Sequence, residues 1–397
     1  MTNIIDQVPL GAIVQVRDRL LEQQGRGRKV LRLESGDPSF DIPVHVRAAM
    51  EKALRDGLTH YTASIGIAPL REAIFRKVTN ENGLNVPGLD SVVVTNGAMH
   101  GLYILFQALL EPADEVILPD PMWSEIDDNI RLAGGIPVPV RLRPETGYQY
   151  DPQEIETAIT ARTRLIFVNT PHNPTGAVAD RGTLEAIAAI AGKHNLLLVS
   201  DEAYEHIIFD GGKHISLGSL PAAQGRTISV FSMSKTYAMS GLRLGYLVLN
   251  DAQTLDRIKK LVRCTINGVN SVTQYGAAAA LNGPQAATRS MVREYQMRRD
   301  VLFDALEESP YVKPFKPHGA FYMWTRIQPE WPGYGGKSDD WSMTNYLIDQ
   351  SAIGSAPGSA FGPAGAGHIR FSFSCSTTQV KEAARLLPGV LRDVRSG

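Results

Sequence analysis

Short apolar runs rich in β-branched residues recur at residues 91–95, 115–118, 165–168, 196–200, 227–231 and 244–249, and between them the apolar positions fall at helical spacing. That alternation predicts an α/β fold, a largely parallel sheet wrapped by helices. The run Leu196-Leu197-Leu198-Val199 has no polar alternate position, so it needs apolar cover on both faces and belongs inside the sheet. Residues of a different character follow the first five runs: Asn96 and Gly97, then Trp123, then Asn173, then Asp201 and Tyr204, and finally Ser232, Ser234 and Lys235. In an open α/β sheet the ligand crevice lies beyond the carboxyl ends of the strands, so these groups are expected to converge.

From about residue 281 the pattern changes to a long charged helix through Arg289, Arg293, Arg298, Arg299 and Asp300, followed by short strands near residues 320–324 and 368–373. The chain is therefore read as a large α/β domain over 46–284 and a smaller α+β domain made of 285–397 and an N-terminal arm, 1–45. The stretch Trp331-Pro332-Gly333-Tyr334-Gly335-Gly336 reads as an exposed loop. A length of 397 residues with 43% hydrophobic content is enough for two cores.

Forty basic and 41 acidic residues leave a net charge of -1, which provides no field to gather nucleic acid or an anionic membrane. No leader pattern and no apolar run of membrane-spanning length is found. Two cysteines, Cys264 and Cys375, argue against a disulfide framework and for a reduced, cytoplasmic setting. The partner to look for is a small molecule.

Lys235 lies in Phe231-Ser232-Met233-Ser234-Lys235, eight residues before Arg243 and thirty-four after Asp201. Most lysines are solvated surface charges; this one ends a buried run between small hydroxyl residues. Its amine can hold an aldehyde cofactor and, once released, act as a base, a task favoured by a depressed pKa. Asp201 can hold a protonated pyridine nitrogen, although an aspartate after a strand is as often a helix N-cap. Tyr204 and Asn173 can reach the phenolic oxygen of such a ring, and Asn173-Pro174 is a candidate cis peptide. Ser232, Ser234, the fork of Arg243 and the backbone at Gly97, Ala98 and Met99 can hold a phosphate, with Gly97 allowing close approach. Trp123 can stack on the ring, though such an aromatic is more often core. His172 and His318 have no metal-ligand spacing and are read as structural. Together these groups suit pyridoxal 5'-phosphate.

In this order the residues resemble the fold-type I pyridoxal phosphate enzymes, specifically the class I aminotransferases of the aspartate aminotransferase family, over nearly the whole chain. The most specific motifs are Pro171-His172-Asn173-Pro174-Thr175-Gly176, Ser200-Asp201-Glu202-Ala203-Tyr204 and Ser232-Met233-Ser234-Lys235 with Gly241-Leu242-Arg243-Leu244-Gly245. The resemblance implies a mostly parallel sheet of about seven strands in the large domain. It implies that Gly36 and Arg370 bind the substrate carboxylate with Asn173 beside them, whereas Arg370 read alone is an edge-strand charge. It implies that Tyr61 reaches the phosphate in a neighbouring subunit, so that two copies share active sites, and that the small domain closes over substrate. Relatives acting on acidic substrates often carry lysines where this chain has Met99 and Val8; without those charges a distal carboxylate would be buried unpaired.

The expected reaction moves an amino group from an L-amino acid, neutral, apolar or aromatic, to a 2-oxo acid in two half-reactions. Its rivals are a dicarboxylate aminotransferase of the aspartate/glutamate type and a C-S β-lyase on the same scaffold. A cofactor-sensing regulator would need a basic DNA-binding module, and a nicotinamide dehydrogenase a Gly-x-Gly-x-x-Gly turn; neither is found in the sequence.

Overall fold

In the computed structural model, which describes residues 4–392 and 394, the apolar runs form a seven-stranded sheet. The strands are β1 (Val92–Thr95), β2 (Glu115–Asp120), β3 (Ile136–Arg141), β4 (Thr163–Asn169), β5 (Leu197–Asp201), β6 (Thr227–Ser232) and β7 (Gly245–Val248). Their spatial order is β1-β7-β6-β5-β4-β2-β3, and β7 alone runs against its neighbours. Six strands therefore end at one edge of the sheet, while β7 begins there. The expected α/β fold is borne out, and β5 lies inside the sheet with Leu198 and Val199 fully buried.

Strand β3 has no counterpart in the sequence reading. Pro137 and Pro139 cannot donate to a ladder, and only Pro137 and Val140 are buried. An edge strand with one partner tolerates both features, and β3 pairs with β2 alone.

Around the sheet lie α1 (Ala68–Asn80), α2 (Gly97–Leu109) and α3 (Ser124–Leu132). Lys77 of α1 is buried at the sheet, where its ammonium pairs with Glu205 and stands 4.4 Å over the Phe231 ring. Burial acts to raise the Glu205 pKa, but Lys77, with His206 and His214, holds it down to about 2. A folded pKa below the unfolded value near 4.5 means that this carboxylate stabilises fully above that pH and loses its contribution as the pH falls towards 2. Glu205→Gln leaves Lys77 without its counter-charge and is expected to cost about 3–5 kcal/mol near neutrality. Urea unfolding should show the gap from the parent narrowing below pH 4.5; a gap independent of pH would refute the assignment.

A second sheet contains β8 (Val312–Pro314), β9 (Tyr322–Ile327), β10 (Ala356–Pro357) and β11 (His368–Ser372), antiparallel in the order β10-β11-β9-β8. The long charged helix is α4 (Ala286–Glu307), and α5 (Thr377–Arg392) closes the chain's helical cover. Leu302 and Leu306 of α4 share a core with Val380 and Leu387 of α5 and with Phe321 and Phe371 of the sheet region. The N-terminal segment joins this sheet: Leu31 N donates to Ala352 O at 3.0 Å and Ser372 N to Leu33 O at 2.6 Å. Residues 34–37 are thereby carried to the edge of the main sheet.

The stretch from Trp331 to Gly336 is only partly the exposed loop expected. Pro332, Gly335 and Gly336 are exposed, but Trp331 is buried, packs edge-on to Tyr346 and donates Nε1 to Ser342 Oγ at 3.3 Å. One large aromatic anchors a sequence whose glycines and proline suggested only a turn. Among the described residues no helix is long and apolar enough to cross a membrane.

Candidate active site

Beyond the shared strand edge lies a cavity of about 520 Å³, within the roughly 300–1,000 Å³ typical of small-molecule sites. Gly36, Ala98, Met99, Trp123, Asn173, Asp201, Tyr204, Ser232, Ser234, Lys235, Arg243 and Arg370 all line it. Gly97 is not among the lining residues, although Ala98 next to it is. Tyr61 is elsewhere, with 92% of its surface exposed.

One corner is built for an anion. Gly97 opens α2 with φ of +82°, and a methyl group there would lie 2.6 Å from Arg243 Nη2, so no larger residue fits without moving the guanidinium. Arg243 directs Nη1 to Ser240 O at 2.7 Å. Ser232 Oγ accepts from Ser234 N at 3.2 Å on the one-turn helix Met233–Thr236. Ala98 and Met99 in the first turn of α2, the Arg243 fork, Ser232 and Ser234 thus line one cavity, with the free N–H groups of a helix start among them.

Lys235 Nζ donates to Gly36 O at 2.7 Å. Burial lowers its pKa to about 8; Asp37 opposes the shift, while the cations Arg370 and Arg243 add to it. Asp201 moves the other way, raised to about 7 by burial although the Ala203 N–H at 3.1 Å favours its charge. A cation set against Asp201 would restore its ionised form. Tyr204 shares a hydrogen bond of 2.9 Å with Tyr322, and burial keeps both phenols protonated by raising their pKa values.

Arg370 is on β11, an interior strand, and is only 1% exposed. Its Nη1 donates to Asn173 Oδ1 at 2.8 Å and its Nη2 to Glu34 O at 2.9 Å. Its carbon stands 4.1 Å from the Tyr322 ring centre, and its Nε has no partner. Among the described residues no carboxylate pairs with it at salt-bridge distance, so the buried charge is ready for an anion. Asn173, oriented by its accepted bond, leaves its NH₂ end to the cavity. The Asn173–Pro174 peptide is cis, as are Asp120–Pro121 and Thr170–Pro171.

Of the two positions where the resemblance implied missing lysines, Met99 lines the cavity and Val8 does not; Ile13 lies there instead. His172 is structural: its Nδ1 is 2.8 Å from Thr175 Oγ1, and burial pushes its pKa down to about 3. The sequence reading missed Tyr322, Glu34 and Glu125. Tyr322 shares a face with Arg370 because β9 and β11 pair Tyr322 with Ser372 and Trp324 with Arg370. A methyl group on Gly36 would lie 2.2 Å from the Tyr322 hydroxyl oxygen, which explains the glycine. Only the aromatic run Phe321-Tyr322 after Ala320 hinted at this contact.

The sequence pattern of aminotransferase class I and II matches residues 28–387. The chain belongs to that family. An aspartate aminotransferase of Pyrococcus horikoshii is 36% identical over 366 residues, covering 92% of this chain and 91% of the relative. An arginine–pyruvate transaminase of Pseudomonas aeruginosa is 35% identical over 367 residues, with 92% and 91% covered. The solved structure of an alanine aminotransferase from Pyrococcus furiosus matches with a TM-score of 0.93 at 32% identity, covering 99% of this chain and 100% of that one. Class I aminotransferases depend on pyridoxal phosphate. The cavity fits it: a donor-rich corner cleared by Gly97, an amine at Lys235 and a carboxylate at Asp201.

Proposed function

We propose that this aminotransferase moves the amino group of a non-acidic L-amino acid to a 2-oxo acid in two half-reactions, with Arg370 holding the α-carboxylate and Lys235 moving the α-proton. The buried Arg370, without a carboxylate partner and in the same cavity as Lys235, carries this reading. A planar fork held by Asn173 and Glu34 O fixes a carboxylate in two dimensions, which sets the Cα–H bond of the substrate relative to Lys235 Nζ. When bound, pyridoxal phosphate supplies the aldehyde that takes the amino group and a ring that accepts electron density as that bond breaks. Asp201 would hold its ring nitrogen protonated. Tyr204 and Asn173 would donate to its phenolic oxygen, and Trp123, also on the cavity wall, would pack against it. Ser232, Ser234, Arg243 and the Gly97–Met99 backbone would hold its phosphate.

The relatives are named for aspartate, arginine and alanine, so family membership leaves the donor open. The apolar wall of Ile13, Met99, Met122 and Ile126 favours a side chain with an apolar body. A distal carboxylate would find no free cation on that wall among the described residues.

Tyr61 supports shared sites in a homodimer. It stands almost fully exposed beside a hollow of about 340 Å³ formed by residues 59–62 and 266–271, outside its own chain's cavity, where a second copy can receive it. We also propose the division into 46–284 and 1–45 with 285–397, with the smaller unit bringing Arg370 and Tyr322 to the larger. The free thiols of Cys264 and Cys375 suit a cytoplasmic setting.

Holoenzyme given L-leucine without acceptor should lose the visible absorption of the aldehyde cofactor and release one 2-oxo acid per site. Ammonia and pyruvate released from cystathionine instead would establish a β-lyase. Arg370→Lys should lower kcat/KM about 10²- to 10³-fold, because a single ammonium cannot replace the bidentate fork on a buried carboxylate.

A further inference from the structure

Four carboxylates line the cavity, and three already have work. Glu34 pairs with Arg32, Asp37 accepts from Ser240 Oγ, and Asp201 accepts from Ala203 N and is the partner proposed above for the ring nitrogen. Glu125 is different. Its side chain accepts only from the adjacent Ser124 hydroxyl at 3.2 Å and from its own backbone N–H, and no cation pairs with it at salt-bridge distance among the described residues.

An acid in the first turn of a helix is ordinarily explained by the helix dipole and points to solvent. Glu125 is in the first turn of α3 but is half-buried against the cavity, beside Met122, Trp123 and Ile126. Trp123 lies with its ring 5.9 Å from the Arg370 guanidinium carbon, so this wall begins at the group that takes the α-carboxylate. Arg370, this methionine, tryptophan and isoleucine surface and the carboxylate of Glu125 line one cavity, so a substrate anchored at Arg370 would have that surface and that carboxylate within the same enclosure.

We propose that Glu125 determines donor specificity by receiving a cationic side-chain head, so that the preferred donor has an apolar stem and a guanidinium or ammonium end. This inference rests on the aminotransferase reading above and names its substrate class. Burial raises the Glu125 pKa and Asp128 adds to the shift, whereas Arg370 opposes it. A cation seated there would relieve the burial of an unpaired charge. The same carboxylate repels the distal carboxylate of aspartate or glutamate.

Two measurements test this independently of each other. By calorimetry on the holoenzyme, 5-guanidinopentanoate should bind about 10- to 100-fold more tightly than hexanoate, the scale of one charge-assisted hydrogen bond, and Glu125→Gln should abolish the difference. In steady-state assays with pyruvate, the ratio of kcat/KM for L-arginine to that for L-leucine should fall about 10- to 100-fold in E125Q, and E125K should shift preference towards L-aspartate. Equal binding of the two acids by the parent enzyme, or an arginine-to-leucine ratio untouched by E125Q, overturns the role of Glu125. Failure of every donor to convert the cofactor would instead sink the aminotransferase reading, and the calorimetric comparison would still decide the role of Glu125.

Discussion

Lys235→Ala is expected to lower turnover at least about 10⁴-fold, because it removes both the amine that anchors the cofactor and the base that moves the α-proton. The environment explains why one nitrogen can do both. A lysine with its ordinary pKa of about 10.4 keeps roughly one amine in a few thousand neutral at pH 7. With the pKa brought to about 8 by burial and by the nearby Arg370 and Arg243, roughly one in ten is neutral. Lys235→Arg keeps the charge but cannot deprotonate, so it should be equally inactive. In both variants Ser232, Ser234 and Arg243 remain, so cofactor should still bind, yet dialyse away more readily. Single-turnover absorbance with L-leucine checks the loss; a variant that keeps more than about 1% of turnover would contradict the assignment.

Asp201→Asn should lower kcat by about 10²- to 10³-fold with a much smaller change in KM. The substitution preserves shape and removes the charge that stabilises a protonated ring nitrogen, an interaction that strengthens as electron density builds during proton loss. In the cofactor-free protein the effect on stability has the opposite sign. The folded pKa of Asp201, raised to about 7 from an ordinary 3.8, means that the native chain holds a proton which the unfolded chain has lost. This group therefore favours the fold below its ordinary value and loses that advantage as pH rises towards 7. The neutral amide of the variant carries no such burden, so the cofactor-free variant should melt higher than the parent at neutral pH. Thermal scans with and without cofactor would reveal the inversion, and a lower Tm in the cofactor-free variant would refute it.

Much of the site was legible because it sits where strands stop. A buried strand is apolar on both faces, so the change to Asn173, Asp201 or Ser232 at its end is visible without knowing what it neighbours. Lys235 and Arg243 were readable together for the same reason, flanking β6 and β7 at one edge. The missing strand β3 fails that rule, since its two prolines imitate a loop and only its place at the sheet margin makes them tolerable.

Tyr322 and Arg370 show the other limit. Each is in a short strand whose own residues do not say which face is buried; the register of β9 against β11 brings them to one side, and the cavity then lies between two sheets. The hydrogen bond between Tyr204 and Tyr322 spans 118 positions, and that from Arg370 to Glu34 O spans 336. Glu125 has the signature of a helix start and nothing local to distinguish it from Asp127, yet the rotation of α3 turns it to the cavity. Local patterning determined six of the seven strands of the main sheet, their ends and the kinds of group held there. Which of those groups meet, and which charge is left unpaired among them, was decided by strand register and helix orientation, because both depend on packing between elements that are separate in the chain, which no local pattern records.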